Sequence, residues 1–328
     1  MKKIIPILIL LTLISCRPKE PGRYYFGDGE FEFEITVGAR QRIDENAFHE
    51  AGQESNSMFR NLDPVEGDII GALNDSEPGE IIDLKNMCDI VTDAIDYSNE
   101  CYNAFDPALQ IIWDIYEFKD GGRYVSRDEL TDALRYVDIS NLELTGDCRI
   151  LRKNQHTRFG LGPAWSGAGY GLVSKSLIEH GISDVLLRVG QTYGVIGGNP
   201  AVNVVEINYP LEPGREDAIT IPVGHVRLRE GQYLSCLDDD EHYFFERGEQ
   251  YHQVVDPIYG KPVRNVRMAC IVSQESPLQA SIFAYALMVM GPDRGIEFVN
   301  ETDGVEGIIF DENYEIHVSS GLEDIFWR

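Results

Sequence analysis

The chain has 328 residues, 43% of them hydrophobic, enough to bury a sizeable core as one large or two coupled domains. Its 55 acidic residues against 28 basic ones give a net charge of −27, and a surface of that sign repels phosphate backbones, which excludes nucleic acid as a partner. The same charge opposes an anionic dinucleotide unless a metal ion or a local basic group intervenes.

Met1 to Ser15 has the form of a targeting segment. Lys2 and Lys3 make a positive start, and Ile4 to Leu13 is an apolar run too short to span as a mature helix. Leu13-Ile14-Ser15-Cys16 resembles a bacterial lipobox, with cleavage before Cys16 and acylation of its thiol and new amine. The expected organisation is a lipoprotein signal peptide over 1–15, a lipid anchor and tether over 16–29, and one folded domain over 30–328. Such a chain is exported and held to a membrane, on the periplasmic face or at the cell surface. The other cysteines are Cys88, Cys101, Cys148, Cys236 and Cys270, an odd set without a zinc spacing in a chain where export would permit oxidation, and most of them read as small buried hydrophobes.

Residues 30–37 alternate with period two, as a half-buried strand does. Residues 50–86 are weakly patterned. Leu84 to Cys101 makes a better helix, with Met87, Val91, Ala94, Ile95 and Ser98 on one face. Tyr102 to Ala108 then leads into a second helical run through Ile111, Ile112 and Trp113, where Asp106-Pro107 suits an N-cap and first turn. A short helix over 128–136 and strands near 142–144 and 149–151 follow.

The run from Phe159 to Gly171 is rich in glycine, a helix extends to His180, and an apolar strand runs from Asp184 to Val189 into Gly190. Gly-rich loop then helix suits the approach of a phosphate and equally suits tight packing of helix on strand. Strands are expected over 203–209 and 218–223. Asp238-Asp239-Asp240 reads as a solvated turn, after which 241–247 rejoins the sheet. From Gln250 to Gly291 the pattern is strand, turn, strand, helix: Asp256-Pro257-Ile258-Tyr259-Gly260 is turn chemistry, Pro277 opens the helix and Gly291 stops it. A closing hairpin over 307–318 completes an irregular α+β order.

Ala104-Phe105-Asp106-Pro107, the Gly-rich run and Asp256-Pro257-x-x-Gly260 with its following helix resemble, in that order, the signature of the ApbE family, the FAD:protein FMN transferases. The resemblance implies mixed or antiparallel sheets with flanking helices and a cleft between two coupled halves. It implies FAD as the cofactor, with Ala104, Phe105, Asp106, Leu161, Gly162, Gly167, Asp256 and Gly260 among its contacts, and a target protein that receives FMN on a Thr hydroxyl as AMP leaves. Magnesium neutralises the pyrophosphate in that reaction. Relatives hold it with an Asp and a Thr of an Ala-Asp-x-x-Ala-Thr-Ala frame and a carbonyl of the Gly-rich loop.

On that frame this chain carries Ser281 and Tyr285. Gly160 and Ser166 replace charged residues of the loop, Leu237-Asp238-Asp239 replaces a Thr-Ser-Gly turn, and Gln253 and Tyr259 replace a His and a Thr. Scaffold positions persist while polar ones are lost, so metal binding is doubtful and the transfer is expected to be impaired or lost. The alternative is a non-catalytic lipoprotein of the same fold that binds a flavin or a protein partner. Arg188 could stand in for a cation or simply face solvent, and Trp165 could stack on a ring or fill its volume.

Overall fold

The computed structural model describes residues 20–28, 31–198, 202–210 and 220–328. Its spine is one eight-stranded antiparallel sheet whose spatial order repeats the order along the chain. The strands are β1 (Gly22–Asp28), β2 (Phe31–Val37), β3 (Val185–Val189), β4 (Thr192–Ile196), β5 (Tyr233–Asp238), β6 (Val266–Ser273), β7 (Val305–Asp311) and β8 (Ile316–Val318). The other elements are inserted between consecutive neighbours, except Leu322–Asp324 and Phe326–Trp327, which follow β8.

Alternation sorts the faces. On β6, Ala269 and Ile271 turn toward the helices, while Met268, Cys270 and Val272 join a second core against a small sheet of Val204–Pro210, Thr220–Arg227 and Phe326–Trp327. The helices are α1 (Glu45–Phe59), α2 (Ile70–Asp75), α3 (Cys88–Glu100), α4 (Gln110–Tyr116), α5 (Arg127–Leu134), α6 (Trp165–Glu179) and α7 (Pro277–Glu301). α7 lies across β6 and β7 with nearly all of its first half buried, and α6 packs beside it. Ser276 caps α7, its hydroxyl accepting from the Leu278 N–H, and Pro277 takes the first turn. At Gly291 the backbone reaches φ 78°, ψ 177°, a kink glycine accommodates, and Pro292 restarts the helix.

Several sequence expectations need correction. Gly22–Asp28 is not a tether but an edge strand paired along its length with β2, because Phe26 stacks on Phe33 and anchors it. The weakly patterned region from Glu50 holds most of α1, capped by Asp44. Tyr243–Glu246 does not rejoin the main sheet but pairs with Glu249–His252 in a separate hairpin, its aromatic residues Phe244 and Tyr251 stacked 5.1 Å apart. The cysteines are not simply small hydrophobes: Cys88 bonds Cys148 and Cys236 bonds Cys270, leaving Cys101 free and buried. Asp238-Asp239-Asp240 is not a solvated turn either. Asp239 is 2% exposed and holds Arg267 at 2.8 Å and the Tyr209 hydroxyl at 2.9 Å. Cys16 and residues 1–15 lie outside the described residues, and among those described no helix is long and apolar enough to cross a membrane.

Candidate functional site

The Gly-rich loop ends in a short 3₁₀ turn, Gly162–Ala164, from which α6 starts at Trp165. α7 crosses close by, and Gly167 makes that approach feasible: a Cβ there would collide with Ser281 and the Pro277 carbonyl. Ser281 is fully buried, with its Oγ 2.9 Å from the Ala164 carbonyl and 3.0 Å from that of Leu278. Tyr285, one turn further and also fully buried, donates its hydroxyl proton to the Val255 carbonyl at 2.6 Å and accepts the Val255 N–H at 2.9 Å. Phe105 and Trp113 pack edge-on against its ring at 5.3 and 6.3 Å.

This wall does not fit a divalent cation. Magnesium needs hard, preferably charged oxygens with lone pairs turned toward it. Both side chains here are neutral hydroxyls already engaged with backbone carbonyls, and burial pushes the Tyr285 phenol far up, away from any phenolate. The carbonyl of Ala164, in the Gly-rich loop, faces the Ser281 hydroxyl.

Each of the eight residues singled out from sequence has a structural partner or a packing contact. The Asp106 carboxylate accepts the N–H groups of Ala108 (2.7 Å) and Ile139 (3.2 Å), and burial lifts its pKa to about 6 against those bonds. Ala104 and Phe105 sit in the same core as Tyr285, Leu161 is buried there too, and Gly162 lies under Trp113. Asp256 accepts from Ile258 at 2.7 Å and from Tyr259 at 3.3 Å, a side-chain-closed turn. Gly260 backs onto Leu130, and its carbonyl accepts the Tyr116 hydroxyl at 3.1 Å.

Open space adjoins Trp165, where the loop runs into α6. A cleft of about 330 Å³ is lined by Tyr25, Glu32, Glu34, Trp165, Arg188 and Glu241, among others. None of the eight residues lines it. Arg188 faces solvent at its rim, its Nε on the Gly190 carbonyl at 3.0 Å and its guanidinium over the Tyr193 ring. Trp165 is among the lining residues, braced edge-on by Phe59 at 5.3 Å. Glu241 accepts from Gln191 at 3.1 Å and Gln253 at 3.4 Å. Burial and then the nearby charge of Glu241 hold the Asp238 carboxyl well above its ordinary range. Of these residues only Trp165 and Arg188 stand out in the sequence. The rest come from strands far apart in the chain, and no motif gathers them.

The ApbE family model matches residues 30–309, 280 of the 328 positions (309 − 30 + 1). The chain belongs to the ApbE family. Among ApbE relatives, the FAD:protein FMN transferase of Vibrio cholerae is 23% identical over 71% of this chain and 70% of its own length. That of Rhodobacter capsulatus is 30% identical over 47% of this chain, a match spanning only 28% of the Rhodobacter protein. The ApbE protein of Thermotoga maritima superposes with a TM-score of 0.79 at 20% identity, covering 94% of this chain and all of that one. Flavin transferase ApbE from Vibrio cholerae gives 0.77 at 16% identity, with 94% and 100% covered. The ApbE fold is thus present nearly end to end, with mixed helices and antiparallel sheet as the sequence suggested.

Proposed function

We propose that this chain is an exported, lipid-anchored member of the flavin transferase family in which metal-assisted transfer of FMN from FAD is lost or severely reduced, and which persists as a flavin-binding protein. The observation that carries this reading is the Ser281 hydroxyl on the Ala164 carbonyl. Phosphoryl transfer depends on neutralising charge that develops at phosphorus, and two neutral hydroxyls turned toward carbonyls supply no such neutralisation. The fold retains a cleft beside Trp165 that could still receive a planar ring.

Export is supported by the two disulfides, which persist in oxidising compartments. Anchoring rests on Cys16 and its preceding residues; Cys16→Ser should move the protein from the membrane fraction to the soluble one.

The test of function is AMP release from FAD in the presence of an acceptor protein, with and without magnesium. AMP at the level of a protein-free control, in both conditions, is the expected result. Magnesium-dependent AMP with a covalently yellow acceptor would restore full transferase activity to this chain and end the proposal.

A further inference from the structure

The hairpin that ends the main sheet gathers ligand atoms of its own. β7 and β8 pair with Ile309 opposite His317 and Phe310 opposite Ile316, and the Asp311 N–H closes the turn on the Glu315 carbonyl at 3.0 Å. Residues directly opposite one another, and those two apart on one strand, share a face. Ile309 packs on Gly295 of α7, so Asp311, Glu315 and His317 lie on that side, while Phe310 and Ile316 join the second core. The register alone brings one imidazole and two carboxylates together, and their ligating atoms all lie within 4.8 Å of one another.

The cluster is held in a fixed order. Asp311 Oδ1 accepts the N–H groups of Asn313 at 2.8 Å and Glu315 at 2.9 Å, which leaves Oδ2 to meet His317 Nε2 at 2.9 Å. Donors of this kind orient a ligating carboxylate in a metal site. The Asp311 side chain is 9% exposed and that of His317 33%, so the anchor is buried and the imidazole can be reached. Among the described residues no lysine or arginine nitrogen lies within ion-pair reach of Asp311 or Glu315. One imidazole proton is left to offset two carboxylates, in a chain whose net charge is already −27. A divalent cation neutralises both.

The donor set selects among cations. Magnesium and calcium prefer shells of oxygen alone, whereas imidazole suits zinc and its transition-metal neighbours. Zinc takes His nitrogen and carboxylate oxygen at about 2.0–2.2 Å, and three protein ligands with one open position is among its usual arrangements. Ligand atoms on such a tetrahedron stand about 3.3 Å apart, close to the 2.9 Å already held between Asp311 and His317.

We propose that Asp311, Glu315 and His317 bind one divalent cation of the zinc class, which ties the edge strand β8 to β7 across their turn and leaves a fourth position to water. The ion replaces the proton between Nε2 and Oδ2, and the neutral ring then carries its proton on Nδ1.

The probe is zinc chloride, titrated calorimetrically into the full chain cleared of metal beforehand, with magnesium and calcium chloride in parallel. One zinc per chain should bind, at least about tenfold tighter than either of the other two ions. Losing an outer-shell partner costs about 10–100-fold in metal affinity, so His317→Ala, which removes a ligand itself, should weaken zinc at least about tenfold. Glu315→Gln should weaken it in the same direction, and His156→Ala, at an exposed imidazole outside the cluster, should leave it unchanged. Asp311→Asn keeps an acceptor for the two turn N–H groups and should lose the zinc; should that variant fail to fold, Glu315 and His317, both reachable by solvent, still decide the matter. Zinc held as tightly by His317→Ala as by the parent is adventitious binding to an acidic surface and overturns the proposal. Magnesium or calcium binding as tightly as zinc overturns it too, as does absence of zinc binding.

Discussion

The Ser281 hydroxyl and the Ala164 carbonyl stand 2.9 Å apart where α7 crosses the start of α6. A hydroxyl there satisfies a buried carbonyl without importing charge, so the wall is complete with protein atoms alone. Its partner residue Tyr285 does the same for both backbone groups of Val255.

Introducing a charge at that wall should create a dependence on cations. Ser281→Asp alone buries an uncompensated carboxylate, which costs about 3–5 kcal/mol. Ser281→Asp with Tyr285→Thr supplies two oxygen ligands and removes the phenol's bulk. The melting temperature of the double variant should rise with added magnesium and fall with chelator, whereas that of the parent should respond to neither.

Tyr285→Phe should be among the costlier single changes. It leaves the buried N–H and carbonyl of Val255 without their partner. Each such group costs about 1–3 kcal/mol, so a loss of roughly 2–6 kcal/mol in urea unfolding is expected, with the fold retained.

The thiol count should distinguish the cysteines. In the Cys16→Ser variant, a thiol reagent should find no reactive group in the native protein and one after unfolding without reductant. That one is Cys101, buried, its pKa pushed up to about 12 by desolvation. Cys88 and Cys148 are 60 residues apart and Cys236 and Cys270 are 34 apart. In the chain-entropy model the longer loop gains slightly more, so replacing the first pair by Ser should cost about 4 kcal/mol, roughly half a kcal/mol beyond the second.

Mild acid should strengthen the fold. Burial raises Asp106 to about 6, and burial with the Glu241 charge raises Asp238 to about 8, both above the unfolded value of 3.8. Between about pH 4 and those values the folded chain binds more protons than the unfolded one. Stability therefore falls as pH rises through this window and is regained on acidification toward pH 5. Asp238→Asn should stabilise the protein at pH 8 by roughly 1–3 kcal/mol and flatten its pH profile; a profile rising from pH 5 to 8 contradicts this.

Local patterns carried much of the fold. Phe31, Phe33 and Ile35 alternate inward as period two demands, and Pro277 and Gly291 mark where α7 begins and bends. What the sequence concealed depends on partners distant in the chain. Asp239 looks like one of three solvated acids until Arg267 is brought to it across the sheet. Cys88 finds its partner only because Arg149–Arg152 folds back to pair with Ile82–Asp83, a few residues ahead of α3. The cleft draws Tyr25, Arg188 and Glu241 from three separated stretches, which no spacing rule could unite.

Because β1 heads the sheet, the first residues of the folded body are also lip residues of the cleft: Tyr25 and Glu32 flank its mouth. Gly22 follows Cys16 by six positions (22 − 16), a leash that reaches at most about 20 Å fully drawn out. If Cys16 carries acyl chains, as proposed above, the mouth would be confined to the thin aqueous layer next to the lipid headgroups. Whatever enters it would arrive by travelling along the bilayer surface rather than from the open compartment.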